Sequence, residues 1–315
     1  MARSRQRLVL SAGMDSIGVA LRRRPKPVEQ LIRGLLFFCA TVSVLTTIGI
    51  VWTLLSQSLL FFKQVNPFEF LTGITWQPQI GEFGVLPLVT ATLITSLIAM
   101  LIALPVGMAI AIYLAEFATE RVRSILKPVL EVLAGVPTIV YGYFALTMVT
   151  PVLRSIFGQE TVGFYNMASA GIVMGILILP LVASMAEDAL SAVPQSLRNA
   201  AWAMGATRLE VTFGVVIPSA LSGILAAFIL ALSRAVGETM IVAIAAGAGP
   251  KFTLNPFAAA ETMTGHIVRI SGGDLSYDSI DYDSLFAIAL LLFIITFGLN
   301  ILSRKIVRRF GEGAA

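Results

Sequence analysis

The most regular feature of the chain is a series of long apolar runs separated by short polar stretches. Six runs are long enough to cross a bilayer, because about 20 apolar residues in a helix span its hydrocarbon core. We expect transmembrane spans at about residues 34–62, 84–115, 126–151, 163–186, 213–247 and 284–305. The apolar segment 239–250 is too short to cross alone and is predicted to extend the fifth span. The pattern therefore predicts an all-α membrane protein.

The basic residues predict how these spans are oriented. Cytoplasmic loops of membrane proteins carry an excess of Lys and Arg. If both termini are cytoplasmic, 17 of the 22 Lys and Arg residues lie on the cytoplasmic side. The other five are Lys63, Arg154, Lys251, Arg269 and the intramembrane Arg234. A seventh crossing would place the basic C-terminus outside, against this bias. We therefore expect six spans with both termini cytoplasmic, a basic tail at residues 1–30 and a transmembrane domain at 31–310.

Composition supports a membrane protein and argues against several other classes. The chain has 315 residues, 57% hydrophobic and 13% charged, with a mean hydropathy of +0.88. A soluble domain of this length does not need so much apolar surface. The single cysteine, Cys39, excludes an intrachain disulfide, and the single histidine, His266, makes a histidine-rich metal site implausible. The net charge of +4 does not indicate nucleic-acid binding, because the basic residues lie at span ends.

Two features outside the predicted spans are expected to have no specific chemistry. Four aspartates lie beside Gly-Gly before the sixth span, without the spacing of a calcium-binding EF-hand loop, and are expected to form a solvated loop: Asp274, Asp278, Asp281 and Asp283. His266, in the same connection, is expected to be structural or simply exposed. No metal site is therefore predicted.

The connection at residues 187–212, between the fourth and fifth spans, is unusually rich in Ala and Leu. Pro194 suits the first turn of a short helix, where its missing N–H is not needed. Ala201 and Gly205 are four residues apart and would share a helix face on which small side chains allow another backbone to approach. Gly205 is also suited to end the helix with a positive φ. A second short helix is predicted from about Thr207, so the connection is expected to be a rigid element at the membrane surface.

The same connection resembles the EAA loop of ABC-importer permeases, which docks on the ATPase subunit. The family pattern is E-A-A, three residues, G, nine residues and I-x-L-P; it is matched here by Ala200, Ala201, Gly205, Val215, Ile217 and Pro218, with Asn199 in the glutamate position. The resemblance implies an ATPase-coupling loop that includes Pro194, Ala200, Ala201, Gly205, Ala206 and Thr207. The alternative is an interfacial helix without a partner.

Nucleotide chemistry is not expected on this chain. The sequence contains no G-x-x-x-x-G-K-[ST] phosphate-binding motif and no Gly-Lys pair. We therefore expect no cofactor on this chain, with ATP and Mg²⁺ bound by separate partner subunits.

Arg234 and Glu238 are charges within or just beyond the fifth span. They are four residues apart, so on a helix they would project from one face. An uncompensated arginine in the bilayer costs about 3 kcal/mol or more, so such residues face a bundle interior or water. One interpretation is that the two charges only neutralise each other. The other is that they line an anion path, because arginine offers a planar set of donors and a carboxylate accepts a hydrogen bond from protonated phosphate but not from sulfate. A helix break at Gly237 would change the depth of the pair.

The segment 233–240, Ser-Arg-Ala-Val-Gly-Glu-Thr-Met, resembles the R-A-x-G-E-T-M signature of phosphate-specific, binding-protein-dependent ABC permeases of the PstC type. Residues 73–78, 133–142 and 286–310 also resemble that family, so the similarity covers essentially the whole chain after the basic tail. It implies the six-helix bundle of a type I ABC importer permease, with Arg234 and Glu238 on the phosphate path. The sister permeases of the PstA type share some of these motifs, but segment 73–78 favours the PstC type.

The resemblance implies a transport subunit, not an enzyme, in the bacterial inner membrane. The implied partners are a PstA-type sister permease, two ATPase subunits and a periplasmic phosphate-binding protein, with phosphate as substrate, lipid around the spans and no nucleic acid. ATP-driven closure of the ATPases would act through the coupling loop to produce alternating access. The alternatives are an ABC permease for another oxyanion, such as sulfate or molybdate, or for an organic solute, and an ion-coupled secondary transporter or channel acting alone. A membrane enzyme is the least favoured.

Overall fold

The computed structural model describes residues 27–273 and 279–311. This part of the chain contains six helical segments that are long and apolar enough to cross a membrane: Val28–Phe62, Leu86–Phe117, Thr138–Phe157, Met167–Ser191, Arg208–Val236 and Ile280–Val307. The prediction of an all-α protein with six spans is confirmed. The orientation of the termini stays a prediction. Most of the predicted basic tail lies outside the described residues, and residues 27–30 already belong to the first helix.

The helices, numbered in chain order, are α1 (Pro27–Phe62), α2 (Pro67–Thr72), α3 (Leu86–Ile112), α4 (Glu120–Gly135), α5 (Thr138–Phe144), α6 (Thr150–Phe157), α7 (Met167–Ser191), α8 (Gln195–Ala203), α9 (Arg208–Val211), α10 (Ile217–Val236), α11 (Met240–Ala245), α12 (Met263–Ser271) and α13 (Ile280–Gly311). Wider π-helical turns extend α3 and join α5 to α6 and α9 to α10; they lie at Tyr113–Phe117, Ala145–Val149 and Thr212–Val216. Strands β1 (Trp76–Gln77) and β2 (Glu82–Phe83) form an antiparallel hairpin around a 3₁₀ turn at Pro78–Ile80.

The chain divides into two units, residues 1–53 and 54–315. The described part of the first unit is the α1 segment from 27 to 53. Its apolar side chains, such as Leu31 and Trp52, are exposed, which suits a helix whose surroundings are lipid. The second unit contains the end of α1 and all the other elements.

The core of the second unit is built on the contact between α3 and α7, with α10 packed against both. Gly171 and Gly175 are spaced as in the small-residue motifs that let membrane helices approach closely. A Cβ at Gly171 would lie 2.8 Å from the Ile98 Cβ, and one at Gly175 would lie 2.9 Å from the Ala99 carbonyl oxygen. These two helices therefore meet at a distance that only glycine permits.

The hairpin is held by edge-to-face aromatic contacts at the end of the bundle where α3 and α13 begin. The ring centroid of Phe83 lies 5.3 Å from that of Phe61 and 5.5 Å from that of Trp76. Trp76 in turn contacts the imidazole of His266 on α12, with ring centroids 5.2 Å apart. Such pairs contribute about 0.5–1.5 kcal/mol each beyond the area that they bury. They fix β1 against α12.

The predicted bounds of two spans were wrong. The third span begins at Thr138 and not at 126, because α4 ends at Gly135 and Pro137 adopts the extended conformation φ −57°, ψ 133°. The residue before a proline is disfavoured in the helical region, which explains a break at this point. The Tyr141 hydroxyl donates across the break to the Leu133 carbonyl at 2.8 Å.

The fifth span does not continue to 247. Helix α10 ends at Val236, and Gly237 caps it by donating its N–H to the Ser233 carbonyl at 3.2 Å. The Thr264 hydroxyl then donates to the Glu238 carbonyl at 2.7 Å, which satisfies a backbone group that the break leaves free. The apolar residues that follow form the separate short helix α11.

Candidate functional site

The predicted coupling loop consists of the two short helices α8 and α9. Pro194 immediately precedes α8, and Gly205 follows its end with φ +85°, as the sequence predicts. Thr207 caps α9: its N–H donates to Glu210 Oε2 at 2.7 Å, and the Glu210 N–H donates to Thr207 Oγ1 at 3.4 Å. These caps satisfy backbone groups at the ends of the two short helices. Its predicted start at 187 was too early, because α7 continues to Ser191.

Ala200 and Ala201 of this loop face in different directions. Ala200 is exposed, together with the large apolar side chains of Leu197, Trp202 and Met204. Ala201 instead packs on a buried cluster within the chain, as does Ala206. A Cβ at Gly205 would meet no atom within 4 Å. Ala201 is thus half-buried, whereas Ala200 and Gly205 lie on open surface, and contact of these residues with a partner stays a prediction.

Arg198 attaches α8 to two membrane spans. Its guanidinium forms an ion pair with Glu116, at the C-terminal end of the second span, and its Nη2 donates to the Leu190 carbonyl of α7 at 2.7 Å. The Arg198 and Glu116 side chains are only 9% and 5% exposed. Sequence reasoning missed this pair, although Arg198 lies three residues before the inward-facing Ala201 and so on the same face of α8.

A second ion-pair cluster joins α4 to α7. Glu187, which is fully buried near the end of α7, pairs with both Arg123 and Lys127 of α4. The Ser191 hydroxyl donates to Glu187 Oε1 at 3.3 Å. Two cations and a hydroxyl therefore surround one carboxylate, so that the buried negative charge is compensated. The sequence pattern assigns Glu187 only to the predicted start of the loop.

Arg234 lines a cavity of about 410 Å³ between α4, α7 and α10. Its other ionisable lining residues are Lys127, Glu131 and Glu187, and Leu177, Pro180 and Leu181 contribute apolar surface. In the part of the chain that the structure describes, Arg234 has no ion-pair partner. An arginine that is not engaged by a carboxylate keeps its full set of N–H donors for an anion in the cavity.

Glu238 does not belong with Arg234 in this arrangement. The α10 helix ends between them, so the prediction that they share a helix face was wrong. Neither residue forms an ion pair with the other in residues 27–273 and 279–311, which removes the interpretation of mutual neutralisation. Glu238 does not line the cavity either.

A third cluster lies at the opposite end of the bundle from α8. Glu261 accepts hydrogen bonds from Arg269 Nε at 2.6 Å, from Arg269 Nη2 at 3.0 Å and from the Gly249 N–H at 3.0 Å. His266, which is 3% exposed, places its Nδ1 3.2 Å from Glu261 Oε2. Burial alone would raise the pKa of Glu261, but the hydrogen bonds and charges of His266 and Arg269 outweigh it and lower that pKa. His266 is therefore structural, not exposed.

The aspartates before the sixth span are only partly described. Asp274 and Asp278 lie outside the described residues, whereas Asp281 and Asp283 lie in the first turn of α13. Asp281 Oδ1 is buried. The expectation of a solvated loop was therefore wrong for Asp281.

Residues 103–312 match a family described as "Binding-protein-dependent transport system inner membrane component". The probable ABC transporter permease protein YqgH of Bacillus subtilis (strain 168) is 31% identical over 275 residues, which are 86% of this chain and 88% of that protein. The phosphate transport system permease protein PstC of Mesorhizobium japonicum is 34% identical over 262 residues, which are 77% of this chain and 79% of that protein.

Solved structures share the fold. A chain of a bacterial alginate ABC transporter aligns with a TM-score of 0.62 at 14% identity, over 89% of this chain and 96% of that chain. A chain of the inward-facing MetNI methionine ABC transporter aligns with a TM-score of 0.52 at 21% identity, over 75% and 99%. The predicted six-helix fold of a type I ABC importer permease is confirmed. The chain belongs to the family of binding-protein-dependent transport system inner membrane components, and it is a multi-pass transport subunit of the inner membrane.

Proposed function

We propose that this chain is the permease subunit of an ATP-driven importer of inorganic phosphate. The observation that carries the proposal is the cavity in which Arg234 has no carboxylate partner among the described residues. Relatives named as phosphate transport system permeases, 34% and 30% identical to this chain, support phosphate as the anion. Arginine is well suited to bind a tetrahedral oxyanion because its planar N–H donors contact two oxygens at once.

The proposal includes partners that this chain requires. A PstA-type sister permease would complete the path, and a periplasmic phosphate-binding protein would deliver the substrate. Two ATPase subunits would hold ATP and Mg²⁺, with no cofactor on this chain. The exposed apolar side chains of Leu197, Trp202 and Met204 beside Ala200 support α8 as the docking surface, since such patches commonly mark protein contacts.

The ion pair of Arg198 supports a route by which ATPase closure moves the spans. A displacement of α8 would act on Glu116 at the end of the second span and on Leu190 near the end of the fourth. ATP favours one state of the permease only if contacts differ between the states, and the α8 surface is where those contacts would form. Arg234 would contact phosphate in the cavity, whereas Glu238 would meet it only in another conformation.

Replacing Arg234 with Gln tests the proposal. In proteoliposomes containing the complete complex, we expect ATP-driven phosphate uptake to fall at least about tenfold, because a hydrogen bond to a charged group contributes about 1.5–3 kcal/mol. The matched control is Arg121→Gln, on the exposed first turn of α4, which should transport normally. Unchanged uptake in Arg234→Gln, with an intact complex, would contradict the proposal.

Two further measurements separate the alternatives. Uptake of sulfate or molybdate by the complete complex, equal to that of phosphate, would indicate a different oxyanion permease. Uptake by this chain alone, driven by an ion gradient without ATPase subunits, would indicate a secondary transporter.

A further inference from the structure

A second polar cavity, of about 300 Å³, lies far from Arg234. It is formed by the hairpin residues Trp76 and Gln77, by Arg269 of α12, and by Asp281 and Ser284 at the start of α13. It lies where α3 begins, whereas the Glu116–Arg198 pair lies beyond the C-terminal end of α3. The 27 residues of α3 place about 40 Å between these two ends, at about 1.5 Å per residue.

Two buried groups that line this cavity have no hydrogen-bond partner within the described ranges. Trp76 is 5% exposed, and its Nε1–H donates to no protein atom. Asp281 Oδ1 accepts from none. Nearly all buried polar groups in proteins are hydrogen-bonded, and an unsatisfied one costs about 1–3 kcal/mol. One free donor and one free acceptor in the same cavity therefore point to a ligand that both accepts and donates hydrogen bonds.

A cation is held at the edge of the same cavity. Arg269 binds Glu261 through Nε and Nη2, which fixes the plane of its guanidinium. Its Nη1 makes no hydrogen bond to the described residues. Because Glu261 is also contacted by His266 and the Gly249 N–H, its charge is shared among several donors. Arg269 therefore directs positive potential and two further N–H donors to a ligand.

We infer that this cavity is a second phosphate site, specific for phosphate that retains a proton. The P–OH group would donate to Asp281 Oδ1, while the other oxygens would accept from Trp76 Nε1–H and Arg269 Nη1. Sulfate carries no proton at neutral pH, so its oxygens would face the Asp281 carboxylate without a hydrogen bond. The inference rests on the proposed function for the identity of the anion, and it places a selective site at the end of the path opposite the coupling loop.

Tryptophan emission provides a direct probe of the site. The chain has three tryptophans, so the full-length chain carrying Trp52→Phe and Trp202→Phe retains only Trp76. Titration of this protein in lipid nanodiscs at pH 7 should give a saturable change with inorganic phosphate and an at least tenfold weaker response to sulfate. Absence of a phosphate response, or equal responses to the two anions, would overturn the inference.

Two variants make the test specific. Asp281→Asn replaces the negatively charged, acceptor-only carboxylate with a neutral amide that can also donate, so sulfate should bind about as well as phosphate. The control Asp188→Asn, an exposed position on α7, should keep the selectivity. Trp76→Phe keeps the edge-to-face contacts and removes the N–H. In the full-length chain that also carries Arg234→Gln, which removes binding in the first cavity, it should weaken binding of radiolabelled phosphate about tenfold in equilibrium dialysis. Unchanged selectivity in Asp281→Asn, or unchanged binding in Trp76→Phe, would also overturn the inference.

The outcomes distinguish this site from the proposed function. If the complete complex imports phosphate while Trp76 reports no binding, the second site fails and the importer stands. If Trp76 binds phosphate selectively while the complete complex imports none, the importer fails and the site stands.

Discussion

The buried ion pair between Arg198 and Glu116 predicts a large effect of the substitution Glu116→Gln. Removing one charge of a buried pair leaves the other uncompensated, which typically costs about 3–5 kcal/mol. Arg198 Nη2 would keep its hydrogen bond to the Leu190 carbonyl, so we expect a value near the lower end, about 3 kcal/mol.

The free energy of unfolding of the purified chain in detergent micelles measures this effect. Glu116→Gln should lower it by about 3 kcal/mol, and adding Arg198→Met should recover most of the loss, because no unpaired charge then stays buried. The coupling energy from the double-mutant cycle should exceed about 1 kcal/mol. The control Glu120→Gln, on the exposed first turn of α4, should change stability by less than about 0.5 kcal/mol.

The same variant tests the mechanical role of the pair. In the complete complex, Glu116→Gln should raise the number of ATP molecules hydrolysed per phosphate imported, because α8 would move without moving the second span. A stability within about 0.5 kcal/mol of the unmodified chain, or strictly additive effects of the two substitutions, would refute the reasoning.

Three further predictions concern docking, packing and pH. Ala200→Glu should abolish co-purification with the ATPase without lowering the chain's melting temperature, whereas Asn199→Glu, which restores the family residue, should retain it. Gly171→Ala should lower the unfolding free energy in detergent by about 1–3 kcal/mol through overpacking, while Gly298→Ala, where a Cβ meets nothing within 4 Å, should not. Folding lowers the pKa of Glu261. Its contribution to stability is therefore complete above the unfolded pKa of about 4.3 and is lost as pH falls through the folded pKa. Glu261→Gln should remove the part of the fall in melting temperature between pH 6 and pH 3 that comes from protonation of Glu261.

The elements that the sequence predicts well are those fixed by local chemistry. Long runs without charge determine the spans, since few other structures bury so much apolar surface. The ends of α8 and α9 follow from Pro194, Gly205 and Thr207, each of which acts on neighbouring backbone groups.

The features that the sequence does not predict depend on contacts between distant segments. Glu116 and Arg198 are 82 residues apart in the chain, and no local pattern pairs them. Trp76 meets His266 only because the hairpin folds against α12. The sequence allows a break at Gly237 but does not require it. Which of Arg234 and Glu238 then lines the cavity depends on how α4 and α7 pack against α10, and no local pattern specifies that packing.

The glycine contact between α3 and α7 has a consequence for how this protein moves. With backbones this close, the two helices cannot slide past each other without a steric clash, so they translate and tilt together as one rigid body. Arg198 holds both members of this body at one end, and the hairpin rests against its other end. A displacement of α8 is therefore expected to be transmitted along this body to the hairpin end, and opening or closing of a path would require other helices to move relative to α3 and α7.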